Sequence, residues 1–180
     1  MSEETETLYE GRYLRLKQRG SWEYAERTHA GSAVIVIAIT PENKLLFVEQ
    51  FRVPIQQRTI EMPAGLIGDE AGLEHEDAVA TAARELEEET GYRAGRVEYV
   101  MSGPTSAGMS TEHATFVRAT RLERVGEGVK AQITGRGVID IAALIAGGDV
   151  DRDEVLVPGF VLGHVERASL GDVIAEQVLV

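Results

Sequence analysis

The segment Arg84-Glu85-Leu86-Glu87-Glu88-Glu89-Thr90-Gly91-Tyr92 carries four glutamates within five positions. Upstream, Glu76–Ala83 has acids at its start, several alanines and neither glycine nor proline, so Glu76–Thr90 is predicted as one helix that Gly91 stops in a left-handed cap. With Glu85 at 0° and about 100° per residue, Glu89 falls at about 40° and Glu88 at about 300°. Those three carboxylates share one arc, whereas Glu87, at about 200°, faces elsewhere. Val79, Ala82, Ala83 and Leu86 fall between about 60° and 160°, a core-facing stripe beside the carboxylates. Carboxylates at i, i+3 and i+4 repel one another, and no lysine lies between Glu85 and Glu89 to compensate. A hard divalent cation would resolve the repulsion, because all-oxygen ligands suit Mg²⁺ or Mn²⁺. The plain alternative is a solvated acidic helix face.

The composition bears on which chemistry is open. The chain has 180 residues and a formal net charge of −12, with a pI of about 4.8. Residues 61–90 hold ten of the thirty Asp and Glu and a single Arg. A basic groove for duplex nucleic acid is therefore not expected. An acidic protein can act on phosphates only with metal ions between, since a like-charge pair at about 5 Å costs roughly 3 kcal/mol at an effective dielectric of 20. The chain has no cysteine, which excludes disulfides and cysteine-ligated metals. No apolar run approaches the roughly 20 residues of a membrane span. Met1–Glu10 is polar and acidic rather than a secretory signal, so a cytoplasmic protein is expected.

The elements that must position this helix are mostly strands. Leu8–Gln18 and Trp22–Thr28 alternate as an antiparallel pair around a turn at Gly20. Ala33–Ile39 is a continuous β-branched run, predicted as a buried strand that forms a hairpin with Leu45–Phe51 through Pro41–Lys44. Arg58–Glu61 is a short strand ending at Pro63-Ala64-Gly65. Arg96–Ser102 and His113–Leu122 read as further strands. Gly126–Gly137 reads as a loop followed by a weak strand, and Ile139–Ala146 as a short helix. This order predicts an α+β domain, a mixed β-sheet flanked by helices with an N-terminal antiparallel strand pair.

Competing motifs fail. Gly135-Arg136-Gly137 lacks the third glycine of a dinucleotide fingerprint, and no phosphate loop with Gly-Lys-Ser/Thr exists. Asp149–Asp153 begins like a calcium loop, but its sixth position is Glu154 and its twelfth Phe160. A Gly-x-Ser-x-Gly elbow is absent, and the four histidines have no metal-like spacing.

Glu76, Arg84, Glu85, Leu86, Glu88, Glu89, Gly91 and Tyr92 match at fixed spacing the signature Gly-x5-Glu-x7-Arg-Glu-U-x-Glu-Glu-x-Gly-U, where U is bulky and apolar. The sequence thus resembles the Nudix hydrolase family. It departs between Gly65 and Glu76, where ten residues stand instead of five, an insertion a surface loop absorbs at little entropic cost. Glu49-Gln50-Phe51-Arg52-Val53-Pro54, Glu61-Met62-Pro63-Ala64-Gly65 and Thr105–Glu112 are similar to the ADP-ribose pyrophosphatase branch, with Ala107 where proline is usual. The similarity runs from about Tyr9 to Thr120 and is weak beyond Arg121.

The resemblance implies an α/β/α sandwich of the Nudix type. It implies Mg²⁺-dependent hydrolysis, with Mn²⁺ the alternative, of the pyrophosphate bond of a nucleoside diphosphate sugar. ADP-ribose is the first substrate to try, and the products are a nucleoside monophosphate and a sugar phosphate. It also implies metal ligation by Glu85 and Glu89, with Glu88 joining or bridging, and by the carbonyl of Ala64. Arg84 pairs with Glu76 or Glu88 and fixes the helix end. Arg52 contacts a substrate phosphate or forms a surface salt bridge. Glu61 orients substrate, supports a ligand from behind, or is structural. Glu127 is the proposed general base and Glu112 its rival or a substrate contact, while Glu88 or Glu89 could serve instead. Trp22 stacks on a base at a dimer interface or simply packs.

Residues 1–30 are then a dimerising strand segment and 31–180 the hydrolase domain of a homodimer. Two other readings remain open. One is pyrophosphate removal from nucleoside triphosphates or RNA 5′ ends, which the charge disfavours. The other is a non-catalytic ADP-ribose sensor, which the intact carboxylates and the lack of a basic helix-turn-helix argue against.

Overall fold

The computed structural model describes residues 4–29, 32–42, 44–69, 72–73, 75–128 and 138–140. The N-terminal segment folds as three strands: β1 (Thr5–Glu10), β2 (Leu14–Arg19) and β3 (Trp22–Arg27) form an antiparallel sheet in that order. The expected single strand Leu8–Gln18 is thus two, broken at Gly11, whose N–H donates to the Leu14 carbonyl at 2.8 Å. Alternation alone cannot reveal such a break, because the apolar period resumes in phase on the far side. This sheet is tied to the rest of the chain through Ala25. Its N–H donates to Met109 O at 2.8 Å, and its carbonyl accepts from Thr111 N at 3.1 Å.

Next come β4 (Ser32–Ala38), β5 (Lys44–Leu46), β6 (Val48–Arg52), β7 (Gln57–Glu61) and β8 (Ala64–Leu66). They precede the helix α1 (Ala78–Thr90) and the strands β9 (Tyr92–Pro104), β10 (His113–Arg124) and β11 (Val138–Asp140). The central sheet has the order β8-β4-β10-β9 and is mixed, with β4 parallel to β10 and the other pairs antiparallel. β4 is β-branched from Val34 to Ile37 because it is an inner strand, with successive residues Val34–Val36 buried on both faces. The remaining strands pair as β6-β7 and β5-β11.

Three further expectations change. Leu45–Phe51 is not one strand in a hairpin with β4. Its first half pairs with β11 and its second with β7, and hairpin pairing with the preceding strand is reduced to the bridge Ile39–Leu45 just past β4. Ile139 and Asp140 lie in β11 rather than opening a helix, and residues 141–146 are outside the described residues. The three-residue strand β8 was not expected, being too short to carry a period. Among the described residues α1 is the one α-helix, and no helix there is long and apolar enough to cross a membrane. The structure is α+β, as expected.

The core sits between α1 and one face of the mixed sheet. Ala82 and Leu86 pack with Val34, Val36 and Ala38 of β4 and with Val117, Ala119 and Leu122 of β10. The helix begins two residues later than predicted. Asp77 caps it, accepting from Ala80 N at 2.8 Å, which leaves Glu76 outside the first turn. Gly91 closes it in the left-handed conformation, as predicted, with φ at 72°.

Candidate active site

The helix presents its carboxylates to the inside. Its buried residues are Thr81, Ala82, Glu85, Leu86, Glu89 and Thr90, while Val79 is exposed. The buried arc is therefore centred near the glutamates, and the expected stripe beside them through Val79 is corrected. The cause is β8, which packs against this side of α1 and has a glycine, Gly65, at its centre. A Cβ on Gly65 would overlap the Cδ, Cγ and Oε1 of Glu85. Only glycine lets the strand approach so closely. The extra residues before Glu76 leave this contact intact.

Glu85 and Glu89 are 4% and 8% exposed. A buried carboxylate needs a cation or donors. Arg84 supplies part of this: its Nη1 lies 3.0 Å from Glu85 Oε1 and 3.5 Å from Glu88 Oε2, and its Nη2 lies 3.2 Å from Glu76 Oε2. The expected pairing with Glu76 or Glu88 is realised with both. Glu89 Oε2 accepts from the N–H of Ala64 at 3.2 Å, which puts the end of β8 beside the second buried carboxylate. Glu87 points away, as the wheel predicts, and pairs at the surface with Arg93 at 2.9 Å.

Glu61, at the end of β7, is a third buried carboxylate, 3% exposed. Arg52 of β6 reaches it with two nitrogens, Nε to Oε1 at 2.9 Å and Nη2 to Oε2 at 2.5 Å. Gln50 Nε2 donates to Oε2 at 2.9 Å, and the Thr59 hydroxyl also donates to Glu61. Burial pushes the Glu61 pKa up, but the hydrogen bonds from Arg52 and Thr59, the Arg52 charge and Gln50 outweigh it and hold the group below the ordinary carboxylate range. The hydrogen bond to Glu61 raises Arg52, and the charge of Glu89 adds to the rise, so the pair lies within the field of the helix carboxylates. Gln50 and Thr59 were not foreseen. They are register partners across β6 and β7, and nothing local in the sequence announces that pairing.

An open cleft of about 520 Å³ lies at the C-terminal end of α1, lined by Arg84, Glu87, Glu88, Gly91 and residues 125–128. Glu127 is brought to it from a loop more than thirty residues downstream of the helix. Glu112 is not among the lining residues; its carboxylate pairs with Arg27 of β3 at 2.5 Å and accepts from the Thr105 hydroxyl at 3.4 Å. Trp22 is 64% exposed on β3. Among the described residues no three Asp, Glu or His side chains converge as a ready metal-ligand set.

Residues 29–140 match the NUDIX domain model. The chain is 41% identical over 114 residues to a methanol dehydrogenase activator of Bacillus methanolicus, covering 60% of this chain and 59% of that protein. It is 45% identical over 99 residues to the ADP-ribose pyrophosphatase of Bacillus subtilis, covering 55% and 50%. The ADP-ribose pyrophosphatase of Mycobacterium tuberculosis is 37% identical over 94 residues, covering 52% and 44%. The chain thus spans about half the length of these relatives. The crystal structure of an ADP compounds hydrolase superposes with a TM-score of 0.63 at 16% identity, covering 100% of this chain and 96% of that one, which is a likeness of fold.

Proposed function

The chain belongs to the Nudix family, and from that premise we propose that it is a divalent-metal-dependent pyrophosphohydrolase acting on a nucleoside diphosphate sugar, ADP-ribose the first candidate. The observation that carries the reading is the pair of buried carboxylates, Glu85 and Glu89, seated against Gly65 and Ala64 of β8. Two carboxylates kept out of water on adjacent turns are a costly arrangement for structure alone. The donor set is all oxygen, which fits Mg²⁺, with Mn²⁺ next. Glu85 and Glu89 would hold the metal with Glu88 and the Ala64 carbonyl. When bound, the metal supplies charge neutralisation at the phosphates and an acidified water.

The residues of the chain do the rest. Arg84 holds Glu85 and Glu88 in fixed rotamers through its fan of contacts. Glu127, at the cleft, takes the proton of the attacking water as general base. Arg52, oriented by Glu61, donates its outward N–H groups to a phosphate oxygen of the substrate. Glu112 ties the 105–112 loop to the N-terminal sheet through Arg27 and acts on substrate indirectly. Residues 1–30 form a dimerisation segment preceding a hydrolase domain. Tyr9 and Leu16, exposed register partners on β1 and β2, with exposed Leu14 two residues along β2, support an isologous dimer in which Trp22 meets the substrate base. A cysteine-free chain is compatible with the cytoplasm.

A product assay across ADP-ribose, GDP-mannose, ADP-glucose, NADH and GTP with Mg²⁺ tests the reading. One nucleoside monophosphate and one sugar phosphate are expected, with activity abolished by excess chelator. Release of inorganic pyrophosphate from GTP as the dominant reaction would reject the substrate class.

A further inference from the structure

The loop that carries Glu127 is locked onto the last turn of α1 by backbone contacts that tolerate no side chain. A Cβ on Gly128 would strike the carbonyl oxygen of Glu89 and come within 2.6 Å of its carbonyl carbon and 2.8 Å of Thr90 N. A Cβ on Gly91 would strike the carbonyl oxygen of Gly126 and come within 2.8 Å of Gly128 N. Two hydrogen bonds draw the same segments together, Val125 N to Gly91 O at 2.8 Å and Gly126 N to Gly91 O at 3.1 Å. By contrast, a Cβ on Gly126 would meet nothing within 4 Å. The tight approach is therefore specific to Gly91, at the end of α1, and Gly128, next to Glu127.

Gly91 is required on two counts, since its φ of 72° also disfavours a side chain. Gly128 shows no such backbone demand. What it provides is contact with the backbone of Glu89, one of the two buried carboxylates proposed as ligands.

We propose that Gly128 is a positioning residue: it docks the Glu127 loop directly onto the main chain of Glu89, so the proton acceptor is placed relative to the ligand carboxylate by backbone contact. This rests on the reading of Glu127 as the base. A methyl group at residue 128 would push the loop off the helix, carry Glu127 away from the cleft, and leave Arg52 and the helix carboxylates in place. Misplacing a catalytic group by about 1 Å costs on the order of a hundredfold.

The test is a double-mutant cycle on nucleoside diphosphate sugar hydrolysis, with hydrogen exchange as a second readout. Gly128→Ala is expected to lower kcat by tenfold or more with KM within about twofold. Glu127→Gln is expected to lower it by about 10²–10⁴. In the Glu127→Gln background, Gly128→Ala is expected to cost nothing more, because the group it positions is already gone. Multiplying losses would overturn the proposal, as would an equal loss from Gly126→Ala.

Exchange separates docking from activity. The amides of Val125 and Gly126 should be protected in the wild-type protein and lose protection in Gly128→Ala, with α1 still protected. Fast exchange of these two amides in the folded wild type overturns the docking even if the variant fails to fold. A wild-type protein that hydrolyses no nucleoside diphosphate sugar while these amides are protected would strike the proposed activity and leave the docking standing.

Discussion

Arg52 and Arg93 each grip a glutamate with Nε and Nη2. The distances are 2.9 and 2.5 Å to Glu61 in the first pair, and 2.9 Å twice to Glu87 in the second. The geometry is nearly the same and the surroundings are opposite. Glu61 is buried and takes further donors from Gln50 and Thr59, whereas the side chains of Glu87 and Arg93 are 40% and 63% exposed. Water screens the second pair and competes for every bond in it, so its formation changes little. In the first pair the Arg52 side chain is 43% exposed but Glu61 is shut off from water, so losing Arg52 leaves a buried carboxylate short of partners. The same contrast runs along α1, where Glu85 and Glu89 face β8 and Glu87 faces solvent. What separates a buried carboxylate from one that solubilises the helix here is the strand packed against it.

The largest expected effect breaks the comparison at the helix. Glu89→Gln should lower kcat by orders of magnitude, because an amide oxygen replaces the ligand charge that would hold the metal. Glu87→Gln should leave kcat within about twofold. Steady-state kinetics at saturating Mg²⁺ measures both. Equal losses would mean that burial against β8 is not what selects the reactive carboxylates.

Next comes Arg52→Ala, which acts on the buried fork. Loss of its hydrogen bonds should raise KM for a nucleoside diphosphate sugar about ten- to a hundredfold with a smaller change in kcat, the signature of lost ground-state binding. The same variant should lose about 1–3 kcal/mol of stability, since Glu61 keeps only Gln50 and Thr59 as donors. Arg52→Lys should recover part of each, lacking the bidentate contact. Denaturant unfolding and kinetics on both variants decide it. An unchanged KM with the stability loss present would make the fork purely structural.

Much of this arrangement was legible in the sequence because it is local. The arc of Glu85, Glu88 and Glu89, the outward Glu87, the Gly91 cap and the pairing of Arg84 all follow from helical period and neighbours within eight residues. The direction in which the arc faces was not legible. Val79 looked like core because it is apolar, yet the side of α1 that meets β8 is set by Gly65, whose value lies in having no side chain. Nor could spacing show that Leu45–Phe51 serves two different partner strands, or that Gln50 and Thr59 would meet Glu61. Those depend on strand pairing, which is set by contacts between distant segments rather than by any period along one of them.

The acid behaviour of the two forks sharpens the comparison with a smaller effect. Glu61 titrates below its ordinary value of about 4.3 in the folded chain. A carboxylate with a depressed folded pKa contributes stability that is fully present above its unfolded pKa. That contribution is lost as pH falls through the folded one. Stability should therefore decline as pH drops below about 4.3, partly through Glu61. In Arg52→Ala burial is left to dominate and push Glu61 upward, so this share of the decline should shrink. Thermal unfolding from pH 7 to pH 3 in both proteins checks the sign. An identical acid slope would place the sensitivity in other groups.

The smallest effect is expected at the exposed fork. Arg93 holds Glu87 below its ordinary range by hydrogen bonding and charge, yet both side chains lie at the surface within reach of solvent. In the unfolded chain each group is hydrated about as well as it is here, and ordering two long side chains has an entropic cost that offsets the bond. Arg93→Ala should therefore leave the unfolding midpoint unchanged within error, and any residual difference should vanish when salt is raised well above the physiological range. The same substitution should leave kcat and KM alone, because Arg93 is not among the residues lining the cleft. A salt-insensitive loss of stability in Arg93→Ala, comparable to that of Arg52→Ala, would show that fork geometry rather than burial sets the strength of such pairs in this chain.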